Sequence, residues 1–147
     1  MKNFNVRVYG LLINEENQIL ITDEEIKGFR FTKFPGGGLE LGEGTIEGLK
    51  REFLEECNLE IAVLSHFYTT DFFVKSLFSE EQLLSIYYLV KPLDKFKFKI
   101  SLEAFDFDSQ AEGQKQAFRL VFVDELEDKD LTFPVDKHVL KLLKSKR

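Results

Sequence analysis

An α+β fold is the class this chain predicts, and three observations predict it. β-prone runs recur along most of its length. One strongly periodic helix, Thr45 to Cys57, is inserted early between them, and a second, Val135 to Lys144, closes the chain. The absence of repeats, low-complexity tracts and Pro/Gly/Ser linkers makes residues 1–147 a single expected domain, large enough to bury roughly 70% of its unfolded surface.

The elements follow in order. Phe4 to Ile13 is mostly apolar and β-prone (Val6, Val8, Tyr9, Leu11, Leu12, Ile13). Asn14 to Asn17 reads as a turn and Gln18 to Thr22 as the returning strand. Phe29 to Phe34 is a short third strand. It stops at Pro35-Gly36-Gly37-Gly38, the strongest breaker in the chain and an expected turn. In the first helix Ile46, Leu49, Phe53 and Cys57 fall on one stripe. Thr45 is the expected N-cap, and Asn58 stands where helices end on a left-handed residue. Glu60 to Thr70, Leu83 to Val90 and Ala117 to Val123 read as further strands, and the alternation over Phe96 to Leu102 suggests another. The closing helix turns Val139, Leu140 and Leu143 inward.

Composition excludes several functions. Twenty basic against 26 acidic residues give a net charge of −6, whereas duplex binders carry a basic surplus to neutralise phosphates. No DNA partner is expected. No run approaches the ~20 apolar residues that span a bilayer, so no membrane partner is expected either. The first residues lack the plan of a signal peptide, and the lone Cys57 cannot form an internal disulfide. The expected location is cytoplasmic.

The chemistry is concentrated in Gly36 to Leu59, GGGLELGEGTIEGLKREFLEECNL. Glu52, Glu55 and Glu56 share one helix face. At 100° per residue, Glu56 lies about 40° to one side of Glu52 and Glu55 about 60° to the other. The apolar stripe is on the Glu56 side, so Glu56 is nearest the buried edge, Glu52 next and Glu55 furthest out. Like charges so placed repel, and a divalent cation is the simplest compensation. Mg²⁺ takes hard oxygen ligands, usually one or two carboxylates with waters and substrate phosphates. Backbone carbonyls of Gly36 to Gly38 can add a ligand. Gly48, one turn before Glu52, leaves room for a neighbouring segment to approach, the glycine-rich stretch being the obvious candidate. Arg51 can hold Glu43 or another acid through a charge-assisted pair.

The pattern Gly37, five residues, Glu43, seven residues, Arg51-Glu52-Phe53-Leu54-Glu55-Glu56 resembles the Nudix box over 23 residues, Gly37 to Leu59. Every fixed spacing matches. The single departure is Asn58 in place of Gly, a mild change because Asn is the next most tolerant residue of the left-handed region. The order of strands and helices also resembles the Nudix α/β/α sandwich, a mixed sheet between helices. The resemblance implies hydrolysis of a nucleoside diphosphate linked to another group, with Mg²⁺ or Mn²⁺ as cofactor. It implies Glu52, Glu55, Glu56 and the Gly36 carbonyl as metal ligands, and among the catalytic residues Arg51, which orients the acids, and Glu43, the first glutamate of the box. Phosphate recognition would involve Gly37 and Gly38.

A spare carboxylate, Glu52 or Glu55, would accept the proton of the attacking water. Some family members place that base in a distal loop, where Glu103 or Glu112 would serve. Because all the box acids are present, catalysis is expected over a non-catalytic nucleotide-sensing module of the same fold. An isomerase of the isopentenyl diphosphate type needs a reactive cysteine, and Cys57 lies on the core stripe. His66 and His138 lack a second ligand at metal-binding spacing. The chain has 16 Phe and 4 Tyr. The run Phe67 to Phe73 has more rings than one inward face uses, so it is expected in the core or at a homodimer contact. The partner expected of the site is a small nucleotide diphosphate.

Overall fold

The computed structural model describes residues 1–108 and 113–145. They form strands β1 (Asn3–Leu12), β2 (Gln18–Ile26), β3 (Phe29–Lys33) and β4 (Gly36–Gly38), helix α1 (Thr45–Cys57), strands β5 (Ile61–Thr69), β6 (Glu81–Pro92) and β7 (Gln114–Phe122), and helix α2 (Pro134–Ser145). The chain divides into two compact units, Met1–Leu12 with Pro35–Lys97, and Ile13–Phe34 with Phe98–Arg147.

The first unit is a mixed sheet in the order β4-β1-β6-β5 with α1. β1 and β6 run parallel over ten pairs, Asn3 opposite Glu81 to Leu12 opposite Val90. β4 and β5 flank them antiparallel, and β5 shifts register against β6 between Val63 and Ser65 and between His66 and Tyr68. Leu49, Phe53 and Cys57 bury one stripe of α1. The Phe53 ring fills the space over Gly10 of β1: a Cβ there would stand 2.5 Å from Phe53 Cε1 and 3.2 Å from Val90 Cγ2. That close approach positions α1 on the sheet.

The second unit is an antiparallel sheet, β3-β2-β7, with α2. Val135, Val139, Leu140 and Leu143 are the buried face of α2. Asp23 is wholly buried in β2 and is satisfied from three directions. Arg119 donates Nε and Nη2 to it at 2.6 and 2.8 Å, Thr32 donates Oγ1 at 2.7 Å, and the Phe105 amide donates at 3.1 Å. A buried carboxylate persists only when paired and hydrogen-bonded in this way.

The α+β class is as the sequence predicts and the mixed sheet as the resemblance implies, with four local corrections. Gly36–Gly38 is a strand, not a turn, because its backbone pairs with β1: Arg7 opposite Gly38, Val8 opposite Gly37, Tyr9 opposite Gly36. The N-cap of α1 is Gly44, with extended backbone angles, while Thr45 is already helical and its hydroxyl meets Tyr88 Oη at 2.6 Å. Ile46 is 44% exposed, at the first turn where the stripe has not yet reached the sheet. Phe96 to Leu102 forms no strand; its alternation yields one isolated bridge, Ile100 to Phe118. Of the two places expected for the Phe67 to Phe73 rings, the core does not hold Phe72 and Phe73, which are exposed. Asn58 ends α1 in the left-handed region (φ 48°, ψ 44°), its amide and that of Leu59 donating back to Leu54 and Phe53 carbonyls.

Candidate active site

The acidic helix face and the glycine strand meet within the first unit, and glycines make the meeting sterically feasible. A Cβ on Gly37 would lie 2.6 Å from the Glu52 carboxylate. A Cβ on Gly36, whose φ of +147° already excludes ordinary side chains, would collide with the Val8 carbonyl oxygen. Gly48 of α1 leaves space for Leu39 Cδ1 and Glu43 Oε1, which a Cβ would approach to 2.6 and 2.9 Å. The segment it admits therefore follows the glycine strand rather than being that strand itself.

Arg51 is the hub. Its Nε donates to Glu43 Oε2 at 2.9 Å and its Nη2 to Glu43 Oε1 at 2.6 Å, a bidentate pair. Nη2 also donates to the Gly38 carbonyl at 2.9 Å, and Nη1 reaches Glu55 Oε2 at 3.0 Å and Glu52 Oε1 at 3.2 Å. Glu40 adds an ion pair at 3.3 Å. One side chain thus ties β4, the connecting segment and the helix acids together. Glu43 is braced further, because its Oε1 accepts from the Glu40 amide at 2.9 Å. These bonds hold the Glu43 carboxyl down at about 2, the Arg51 guanidinium being the largest cause. Arg51 is raised in turn, chiefly by Glu43.

The burial order of the acids follows the helix geometry at its outer end. Glu55 is 55% exposed and Glu52 only 13%. Glu56 is half-buried, with Oε2 wholly shielded from solvent. Arg7 of β1 adds a second cation. Its pKa is raised overall: burial, the largest single effect, lowers it, and Tyr9, Glu52 and Glu56 together more than offset that. No motif in the sequence marks Arg7. A lone cation between Val6 and Val8 in a mostly apolar strand is the signal available.

Among the described residues, no group of three or more His, Cys, Asp or Glu side chains is arranged to hold a metal ion. The chemistry of the donors nevertheless fits a hard divalent cation: three carboxylates within about one turn, beside glycine backbone that a Cβ would obstruct. The structure brings together Glu43, Arg51, Glu52, Glu55, Gly37 and Gly38 by direct contact, with Gly36 next in the strand and Glu56 one turn after Glu52. All lie in the first unit. Glu103 is an exposed residue of the second, and Glu112 lies outside the described residues. Cys57 is buried, 2% exposed, as a core thiol.

The NUDIX domain family model matches residues 3–143. No curated protein matches the chain significantly. Among solved structures, a MutT protein from Methanosarcina mazei aligns with a TM-score of 0.70 at 18% identity, covering 99% of this chain and 96% of that one. A NUDIX hydrolase from Nitrosomonas europaea aligns at 0.69 and 18% identity, covering 97% and 89%. An ADP-ribose pyrophosphatase from Streptococcus suis aligns at 0.61 and 16% identity, covering 97% and 92%. At these identities the likeness is one of fold. Among the described residues no helix is long and apolar enough to cross a membrane.

Proposed function

The chain belongs to the Nudix family as a pyrophosphohydrolase, and on that premise we propose that it hydrolyses a diphosphate linkage in a nucleoside diphosphate derivative with Mg²⁺ or Mn²⁺ as cofactor. The observation that carries this reading is the Arg51 hub. It binds Glu43, Glu52, Glu55 and the Gly38 carbonyl at once, so the acids and the glycine backbone are presented as one preorganised surface.

The residues that would hold the cation are Glu52, Glu55, Glu56 and the Gly36 carbonyl. When bound, it would neutralise phosphate charge, orient the bridge and make water a better nucleophile. The chain's own residues supply the rest. Arg51 fixes the acids, and Glu43 fixes Arg51. Glu52, packed against Gly37, keeps its carboxylate in one place. Whichever of Glu52 and Glu55 the cation leaves spare accepts the proton of the attacking water. The backbone of Gly37 and Gly38, bare of side chains, lets a phosphate come close. The ADP-ribose pyrophosphatase among the structural neighbours bears a name for cleavage of such a bridge, which supports the substrate class. A cytoplasmic location accords with the single, buried cysteine.

The test is a panel of diphosphates: ADP-ribose, sugar nucleotides, dinucleoside polyphosphates, oxidised nucleoside triphosphates and capped RNA ends, each incubated with Mg²⁺ and scored by product identity. Cleavage at the bridge supports the reading. No release from any of them with either metal would favour a non-catalytic sensor.

A further inference from the structure

Arg7 is a half-buried arginine with an uncommon set of neighbours. Its Nε donates to Tyr9 Oη at 2.6 Å, and the guanidinium carbon lies 5.7 Å from the Tyr9 ring centroid. Tyr9 is itself immobilised: it is buried and stacks on the buried Tyr87 with centroids 5.1 Å apart. The guanidinium is therefore oriented by a phenol that cannot move away. An arginine carries five N–H donors in a planar fork. Among the described residues only its Nε donor is engaged in a hydrogen bond, and no carboxylate lies within 4.0 Å of the guanidinium. Half-buried cations ordinarily find an acid or backbone carbonyls; this one is held ready by a neutral hydroxyl.

Its place in the fold says what it is ready for. Arg7 lies opposite Gly38 in the β1–β4 ladder. Its Nη1 stands 3.8 Å from where a Gly38 Cβ would be, so the guanidinium lies directly beside the bare backbone of Gly38. The other side of Gly38 is held by Arg51, whose Nη2 binds its carbonyl. Two guanidiniums thus bracket the glycine strand. Arg51 is committed to four glutamates, whereas Arg7 is committed to none. Arg7 is close enough to Glu52 and Glu56 for their charges to act on it. A divalent cation on those acids would repel it, and an anion placed between the two cations removes the repulsion. A diphosphate is such an anion, and a planar fork matches its oxygens.

We propose that Arg7 binds the diphosphate of the substrate directly, donating from its terminal nitrogens to phosphoryl oxygens over Gly38. This rests on the diphosphate reading given above for the same site. The sequence signature is the arginine at position 7 with a tyrosine two residues on, a pair that neither the acids nor the glycines of the box include.

The test is calorimetric titration of the full chain with adenosine 5′-(α,β-methylene)diphosphate, which cannot be hydrolysed at its bridge, in saturating Mg²⁺. Wild type, Arg7→Met and Arg7→Lys are compared, with folding checked by circular dichroism. Loss of charge-assisted hydrogen bonds weakens binding roughly ten- to hundredfold in Arg7→Met, and Arg7→Lys falls between, keeping charge without the fork. Where Arg7→Met fails to fold, the wild-type and Arg7→Lys pair decides, a loss of about threefold or more being expected. Folded Arg7→Met binding within about twofold of wild type overturns the proposal, as does wild type that does not bind the probe or, where only the lysine variant folds, Arg7→Lys binding as wild type does. Wild type that binds the probe through Arg7 yet hydrolyses no diphosphate would overturn the catalytic reading and leave the Arg7 contact established.

Discussion

The carboxylate of Glu52 occupies the space that a side chain at Gly37 would need: a Cβ there would lie 2.6 Å from its carbon and from both oxygens. The helix acid and the strand glycine are fitted to one another. Because the obstructed atoms are the far end of a flexible side chain, Gly37→Ala displaces the carboxylate rather than the backbone. The expected result is a stability cost of about 1 kcal/mol or less with a fall in kcat on the order of 10²-fold. Thermal denaturation beside steady-state kinetics reads both; a variant with unchanged kcat would show that the Glu52 position is immaterial.

Arg51→Lys keeps a positive charge but loses the fork that reaches Glu43, Glu55 and the Gly38 carbonyl together. A decrease in kcat of about 10²-fold follows from the loosened acids. Kinetics at saturating metal, with a folding check, measures it.

Glu43 titrates at about 2 rather than at its ordinary 4.5, through its pairing with Arg51. A depressed carboxyl favours the folded state above the unfolded value, and that contribution fades as pH falls through the folded one. The stability difference between wild type and Glu43→Gln is therefore constant above pH 4.5 and closes on approach to pH 2. Acid unfolding of both proteins tests this. Carbon NMR of the Glu43 carboxyl gives the midpoint directly, and in Arg51→Met that midpoint returns toward 4.5.

Gly10 and Phe53 offer a test of the scaffold. The Phe53 ring is fully buried and lies 2.5 Å from a Cβ at Gly10. Gly10→Ala overpacks that contact and costs about 1–3 kcal/mol, measurable by chemical denaturation. An unchanged midpoint would mean that α1 is not seated there.

Helix α1 was legible to its last residue, because its period, its buried stripe and Asn58 are all local signals. The N-cap was not, since Gly44 takes that place by backbone angle while Thr45 spends its hydroxyl on Tyr88. β4 was illegible for a deeper reason. Three glycines carry no strand propensity, and only pairing with β1, some thirty residues earlier, makes them a strand. Phe96 to Leu102 shows the converse, alternation without a partner strand. The box acids and Arg51 could be placed from spacing alone. Arg7 could not, because its neighbours Gly38 and Tyr9 meet it through sheet register and side-chain orientation.

The most direct measurement is turnover of a cleaved diphosphate by wild type and Glu56→Gln, with Mg²⁺, after excess EDTA, and after Mg²⁺ is restored. Wild-type cleavage is expected to stop with the chelator and return with the ion, and the variant to fold but lose most activity. Cleavage that continues in EDTA, or a Glu56→Gln enzyme near wild-type turnover at saturating Mg²⁺, would contradict this expectation.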